Sequence, residues 1–92
     1  MNESTALRWP LVRVSWVDSY GPHGWILLRH VLEPSSMDVV SVGWVVQDQA
    51  DRLTLVAHIQ DPSHDSPNVD GCLTIPKVAI KSIVVLREKS DD

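Results

Sequence analysis

The sequence contains one cysteine, few glycines and no phenylalanine. A single cysteine, Cys72, cannot form an intramolecular disulfide, which is typical of proteins in a reducing cytoplasm. The four glycines are scattered, so the sequence contains no glycine-rich phosphate loop. Its aromatic residues are four Trp and one Tyr, and because these rings are large we expect most of them to pack in the core.

Long apolar runs and an excess of basic residues are also missing. No run approaches the roughly 18 apolar residues that a membrane helix needs, and residues 1–10 lack the basic and then apolar order of a signal peptide. We therefore expect a soluble cytoplasmic protein without membrane contact. The formal net charge is −4, and an acidic surface argues against non-specific binding to nucleic acid.

The length of 92 residues and the apolar fraction of 43% predict one small folded domain. Residues 1–8 read as a loose N-terminal arm and residues 88–92 as a frayed tail. Between them, apolar residues recur with a period of two, which predicts strands rather than helices. The predicted strands are 11–18, 37–48, 52–60, 72–76 and 80–87.

Two stretches interrupt this alternation. Residues 25–33 fit a short helix that ends at Pro34, although the pattern alone leaves a loop open. Residues 61–71 contain prolines, Asp, Asn and Gly, and they predict a surface loop. Within a strand, Gly43 predicts a bulge or a sharp bend. The sequence thus predicts an all-β fold, a small five-stranded barrel with one short helix.

The segment Thr74-Ile75-Pro76-Lys77-Val78-Ala79-Ile80 carries a resemblance to SH3-like and Sm-like barrels. In those families the fourth strand stops at a proline, and a single 3₁₀ turn leads into the fifth. The turn is similar to the Lys-His-Ala-Ile turn of the bacterial Sm-like RNA chaperones, except that Val78 stands where the histidine would be. Valine has no side-chain hydrogen bonds to offer RNA, so the resemblance implies architecture more than ligand.

A broader resemblance covers most of the chain. Its parts are Val-Xaa-Trp-Xaa-Asp-Ser (14–19), Gly-Trp (24–25), Ser-Val-Gly-Trp-Xaa-Val (41–46) and Thr-Ile-Pro-Lys-Xaa-Ala-Ile-Xaa-Ser-Ile (74–83). This order resembles a family of short proteins encoded by tailed bacteriophages and prophages. The resemblance implies a phage-encoded accessory protein in the cytoplasm of its host.

Catalytic and metal-binding patterns are weak. No serine lies in a nucleophile-elbow pattern, and no third group orients a Cys-His pair, so we predict no enzyme. Cys72 is expected to be a small buried side chain. Several potential ligands match no recognised zinc spacing, so we predict neither metal nor cofactor. These are His58, Asp61, His64, Asp65, Asp70 and Cys72.

The loop after the first strand is the predicted ligand site. There, rings that can stack on a base stand beside polar groups that can read its edge, and Arg13 could bind a phosphate. The predicted site residues are Arg13, Asp18, Ser19, Tyr20, His23 and Trp25. In the alternative, Asp18 and Ser19 only close the turn, and Trp25 plugs the end of the barrel.

The last strand predicts assembly. Residues 80–86 are apolar on both faces, and a strand of this kind is usually buried on both sides, so we predict a homo-oligomer.

The functional hypothesis is a non-catalytic, phage-encoded binding protein that sequesters a nucleotide-type signal of the host's antiviral response. The alternatives are a structural adaptor that docks on another protein through an edge strand, and an Sm-like RNA-binding ring.

Overall fold

The computed structural model describes residues 7–19, 24–32 and 37–88 of the chain. These residues form seven strands, one α-helix and one 3₁₀ helix. The helix α1 spans Leu28–Val31 and the 3₁₀ helix spans Lys77–Ala79. The strands are β1 (Leu11–Asp18), β2 (Met37–Asp48), β3 (Arg52–Val56), β4 (His58–Gln60), β5 (Asn68–Asp70), β6 (Leu73–Pro76) and β7 (Ile80–Val85).

Five of the strands form one antiparallel sheet in the order β6-β3-β2-β1-β7, and β4 pairs with β5 in a separate two-stranded sheet. The predicted all-β fold with one short helix is confirmed. Within the described residues, β6 and β7 are edge strands without hydrogen bonds to each other, so the large sheet is not closed. Closure into a barrel, as the sequence predicted, is therefore not seen in the single chain.

Strand alternation gives the large sheet two different faces. In β1, Val12, Val14 and Trp16 are buried, and they define what we call the inner face. Arg13 and its neighbours of odd number point to the opposite, outer face. The core on the inner face consists of six buried residues from three strands: Val12, Val14, Trp16, Leu53, Leu55 and Ile75.

Strand bounds agree with the alternation where it is long and regular. β1 and β2 end where the sequence predicted, whereas the predicted strand 52–60 is broken at Ala57 into β3 and β4. The break coincides with a contact to a later part of the chain, because the Ala57 N–H donates to the carbonyl oxygens of Asp70 and Gly71 at 3.1 Å and 3.2 Å. Gly71 has a φ of +70°, a conformation that glycine adopts at low cost. Alternation over 52–60 predicts that Ala57 points inward with Leu53 and Leu55, but Ala57 is exposed, so that prediction is wrong.

Residues 61–71 are only in part the surface loop that the sequence predicted. Asn68–Asp70 form β5, which pairs with β4 to extend the hairpin beyond the main sheet. The turn before the last strand is confirmed as a 3₁₀ helix, whose first N–H, on Lys77, donates to the Asp51 carbonyl at 2.9 Å. Pro76 precedes that helix with a φ of −62°, a value that its ring imposes.

Gly43 of β2 lies close to the backbone of β3. A Cβ atom at this position would lie 2.9 Å from the carbonyl oxygen of Val56 and 3.1 Å from the Cβ of Leu55. The predicted bulge is present, but the register shift falls between Val45 and Gln47 rather than at Gly43 itself. Glycine is needed at position 43 because the neighbouring backbone occupies the space of a side chain.

The indole of Trp16 is anchored by a hydrogen bond across the sheet. Its Nε1–H donates to the hydroxyl of Ser41 at 3.0 Å in a half-buried environment. We expect Ser41→Ala to lower the free energy of unfolding by about 1–2 kcal/mol, because the indole N–H loses its acceptor where water has limited access. Urea denaturation measures this, with Ser82→Ala on the exposed edge strand as the control. Equal effects of the two changes would show that the bond contributes nothing specific.

Candidate binding surfaces

The predicted ligand-site residues do not converge on one place. Arg13 lies in the middle of β1 on the outer face, whereas Asp18 lies at the end of the same strand. Five residues of extended chain separate them by about 17 Å, and strand alternation directs their side chains to opposite faces. Two further members of the set, Tyr20 and His23, lie outside the described residues. The set as predicted is therefore not one pocket among the residues that can be placed.

Asp18 and Ser19 interact with each other rather than with a common cavity. The Ser19 N–H donates to the Asp18 Oδ1 at 2.8 Å, and both residues are exposed. A carboxylate that accepts from the next backbone N–H is typical of the local turns that Asp favours. This geometry supports the alternative in which the two residues close the turn after β1.

Trp25 and the short helix after it form an exposed apolar segment. Trp25 has a relative exposure of 105%, and Ile26, Leu27, Leu28 and Leu32 are also exposed. The alternative in which Trp25 plugs the barrel end is therefore wrong, whereas the predicted short helix is present as α1, within the 25–33 region. The four residues of α1 make too few helical hydrogen bonds to be stable without packing.

A concave apolar site lies at one end of the outer face. We call it the Trp pocket, and its volume is about 560 Å³. Leu11 of β1 is opposite Trp44 of β2, and the Leu86 N–H donates to the Leu11 carbonyl at 2.8 Å. These three residues all line the pocket. The complete lining is Leu7, Trp9, Pro10, Leu11, Trp44, Val85, Leu86, Arg87 and Glu88.

The segment before β1 forms the wall of the Trp pocket, and several contacts hold it. The Pro10 carbonyl accepts from the Val45 N–H at 2.9 Å. The Arg8 guanidinium lies 4.1 Å from the centre of the Trp9 ring, a cation–π distance. The same guanidinium donates to the carbonyl oxygens of His64 and Asp65, each at 3.1 Å. The wall is thus tied both to the sheet and to the 61–67 turn.

Sequence reasoning missed the Trp pocket. Most of the large rings were expected in the core by default, and alternation placed Trp44 on one face of its strand with Val40, Val42 and Val46. The alternation along β2 could have indicated the pocket, because it puts Trp44 on the outer face with Val40 and Val42. A large ring on a face away from the core indicates either a second packing layer or a ligand surface.

The edge strand β7 is the second exposed apolar feature. Ile83 and Val85 point to the inner face, opposite the buried Val14 and Val12, yet about half of each side chain is exposed. Val84 points to the outer face and is also exposed. Ile80 of β7 packs against the core, but Ile83 and Val85 leave the rest of its inner face largely exposed. Val40 and Val42 of β2 add exposed apolar area to the outer face.

The described residues offer little support for a metal site, a buried cysteine or a membrane helix. Within 7–19, 24–32 and 37–88, no three His, Cys, Asp or Glu side chains are grouped so that they could hold a metal ion. Cys72 is exposed, so its predicted burial is wrong. In the same ranges, no helix is both long and apolar enough to cross a membrane.

Comparisons with protein-family models, with curated proteins and with solved structures find no match for this chain. Its function must therefore be inferred from its own surfaces. The two that stand out are the Trp pocket and the open edge at β7.

Proposed function

We propose that this chain is a non-catalytic binding protein that works as a homo-oligomer. The observation that carries the proposal is the edge strand β7, which is apolar on both faces, exposed, and paired on one side only. Soluble proteins usually protect such an edge with charges, prolines or a covering segment, because its free N–H and C=O groups attract other strands. The charged residue of β7, Lys81, lies 3.5 Å from Asp38 of β2 in an exposed ion pair.

The exposed residues of β7 continue the core instead of ending it. Ile83 extends the row of Val14, and Val85 extends the row of Val12. A strand from a second copy beside β7 would remove these side chains from water and would satisfy the free backbone groups. Each fully buried aliphatic side chain is worth about 1.5–3 kcal/mol relative to exposure, so a few of them contribute appreciably to association.

The proposed architecture is an SH3-like or Sm-like small barrel that is completed by its neighbours. The strand order β6-β3-β2-β1-β7 and the 3₁₀ helix between β6 and β7 support it, together with the sequence resemblance at residues 74–80. Pairing of β7 with β6 of the next copy would leave no edge and would give a closed ring. The resemblance to short phage proteins supports an accessory role in the cytoplasm of a bacterial host.

The proposed ligand is a nucleotide-type signal of the host's antiviral response, which the oligomer would sequester. A pocket with two Trp rings and an arginine at its rim supports a ligand that combines a planar ring with a negative charge. The acidic net charge of −4 counts against a ring that binds long RNA, because such binding requires an extended basic surface.

A second candidate function is that of an adaptor which docks on another protein. The observation that favours it is the exposed apolar segment from Trp25 to Leu32, since isolated soluble proteins rarely expose so many neighbouring apolar side chains. Under this function the oligomer would retain a large apolar patch, and the segment would pack against the partner.

Native mass spectrometry and light scattering of the purified protein test the assembly. We expect a single oligomeric species in the wild type at tens of micromolar. Ile83→Lys should shift it to monomer, because a buried ammonium group at the interface has no partner. Val69→Lys is the matched control, since Val69 is exposed to a similar degree (47% against 45%) but lies in the separate β4–β5 sheet.

Monomers of wild-type protein at that concentration would contradict the proposed assembly. So would an Ile83→Lys variant that remains as large as the wild type. A retained mass that matches a small nucleotide would support sequestration. An apolar surface that captures protein and no small molecule would favour the adaptor.

A further inference from the structure

We propose that the Trp pocket is the ligand site, and that it holds a nucleotide with the base against the Trp rings and the phosphate at Arg87 and Arg13. This inference deepens the proposed function and rests on it. It moves the site from the loop after β1 to the opposite end of that strand. The proposed site shares one residue, Arg13, with the ligand site that was predicted from the sequence.

The size and lining of the cavity suit a small ligand. Small-molecule sites usually enclose about 300–1,000 Å³ and are mostly apolar with a few polar groups, and the Trp pocket measures about 560 Å³. Seven of its nine lining residues are apolar, and the two charged ones, Arg87 and Glu88, are adjacent in the chain. Such an arrangement binds a flat apolar body whose polar groups project to one side.

Two rings are available for stacking, and neighbouring groups hold each of them in place. Trp9 is fixed by Arg8, whose guanidinium bonds to two carbonyl groups of the 61–67 turn. Trp44 belongs to the central strand β2, which is paired on both sides. Rings fixed in this way lose little conformational entropy when a ligand binds, and they offer π-faces to a base of any kind.

Arginines stand where a phosphate attached to such a base would project. Arg87 lines the pocket directly. Arg13 is opposite Val42 on the outer face and therefore diagonal to Trp44, a relation that spans roughly 7–8 Å and lies within reach of a long side chain. Arginine suits phosphate because its planar fork can donate two parallel hydrogen bonds.

Glu88 restricts the orientation of the ligand. Its carboxylate lines the same cavity and would repel a phosphate, but it can accept hydrogen bonds from the N–H groups of a base. The N–H groups of the base are therefore expected toward the Glu88 carboxylate, and the phosphate toward the guanidinium groups of Arg87 and Arg13. A free phosphate without a base would gain no stacking, and a neutral aromatic compound would make no use of the arginines.

Isothermal titration calorimetry with AMP, GMP, CMP and UMP, and with the four matching nucleosides, tests the proposal on the wild-type protein. We expect saturable binding of at least one nucleotide and weaker binding of its nucleoside. Trp44→Leu and Trp9→Leu should each weaken nucleotide binding by roughly tenfold, as expected for the loss of one stacking ring. Arg87→Gln should weaken the nucleotide but leave the nucleoside unchanged.

The control is Trp25→Leu, which removes a fully exposed ring from outside the pocket and should leave binding unchanged. Should Trp44→Leu fail to fold, Trp9→Leu and Arg87→Gln still test the site, since they lie outside the sheet strands. No binding of any of the four nucleotides would overturn the proposal. Unchanged affinity in both Trp9→Leu and Arg87→Gln would overturn it as well.

Light scattering of the same samples separates this inference from the proposed assembly. An oligomer that binds no nucleotide would refute the pocket and leave the assembly standing. A monomer that binds AMP through Trp9 and Arg87 would confirm the pocket and refute the assembly.

Discussion

Ile75→Ala should lower the free energy of unfolding by about 2–5 kcal/mol, the usual cost of truncating a large buried aliphatic side chain. Ile75 has a relative exposure of 0% and packs in the core on the inner face. It belongs to β6, opposite Leu53 of β3, so the cavity would open between an edge strand and its single partner. Domains of this size are stabilised by only about 5–15 kcal/mol in total, and the variant should be close to unfolding.

Urea denaturation at one fixed protein concentration measures this effect, since oligomer stability depends on concentration. The control is Val78→Ala, three residues further along the chain, whose side chain is 98% exposed in the 3₁₀ helix. It should change the free energy of unfolding by less than about 0.5 kcal/mol. Similar losses for Ile75→Ala and Val78→Ala would contradict the assignment of Ile75 to the core.

Gly43→Ala should destabilise the sheet by about 1–3 kcal/mol, although alanine ordinarily destabilises a strand less than glycine does. The added Cβ would lie 2.9 Å from the Val56 carbonyl oxygen, and backbone cannot move aside as a flexible side chain can. Relief would require β2 and β3 to separate beside Leu55, which belongs to the core. Gly43→Val should be more destabilising still, because its two methyl groups need more space.

Thermal and urea unfolding of Gly43→Ala and Val42→Ala distinguish this cause from a change in strand propensity. Val42 is adjacent in β2 but points to the exposed outer face, so its truncation should cost less than about 1 kcal/mol. A Gly43→Ala variant as stable as the wild type would show that the close approach of the strands relaxes at no cost.

Local sequence patterns predicted much of the secondary structure. β1 and β2 were predicted to the residue because alternation over eight residues or more has no helical interpretation. The 3₁₀ helix after Pro76 followed from proline chemistry together with a family resemblance. The strand 52–60 was predicted without its break, because the cause of the break is the pairing of Ala57 with residues far along the chain.

The candidate site was predicted less well, for a related reason. Arg13 and Asp18 were grouped because they are near in sequence, but an extended strand places such residues far apart and on opposite faces. Trp9 and Trp44 are distant in sequence and meet at the Trp pocket because β1 pairs with β2. No local pattern reports a meeting of this kind.

The amino-acid pattern decided which side of β1 faces the core, and it placed a turn after Pro76, because proline ends a strand. In β2 the same alternation directs Val42 and Trp44 to the outer face, so the pairing with neighbouring strands decided which side packs. The need for glycine at Gly43 likewise comes from the approach of the Val56 carbonyl. Tertiary structure decided the strand order, the open edge at β7 and the position of the Trp pocket. These depend on pairings between residues far apart in the chain, whose register is set by the whole sheet and not by any one segment.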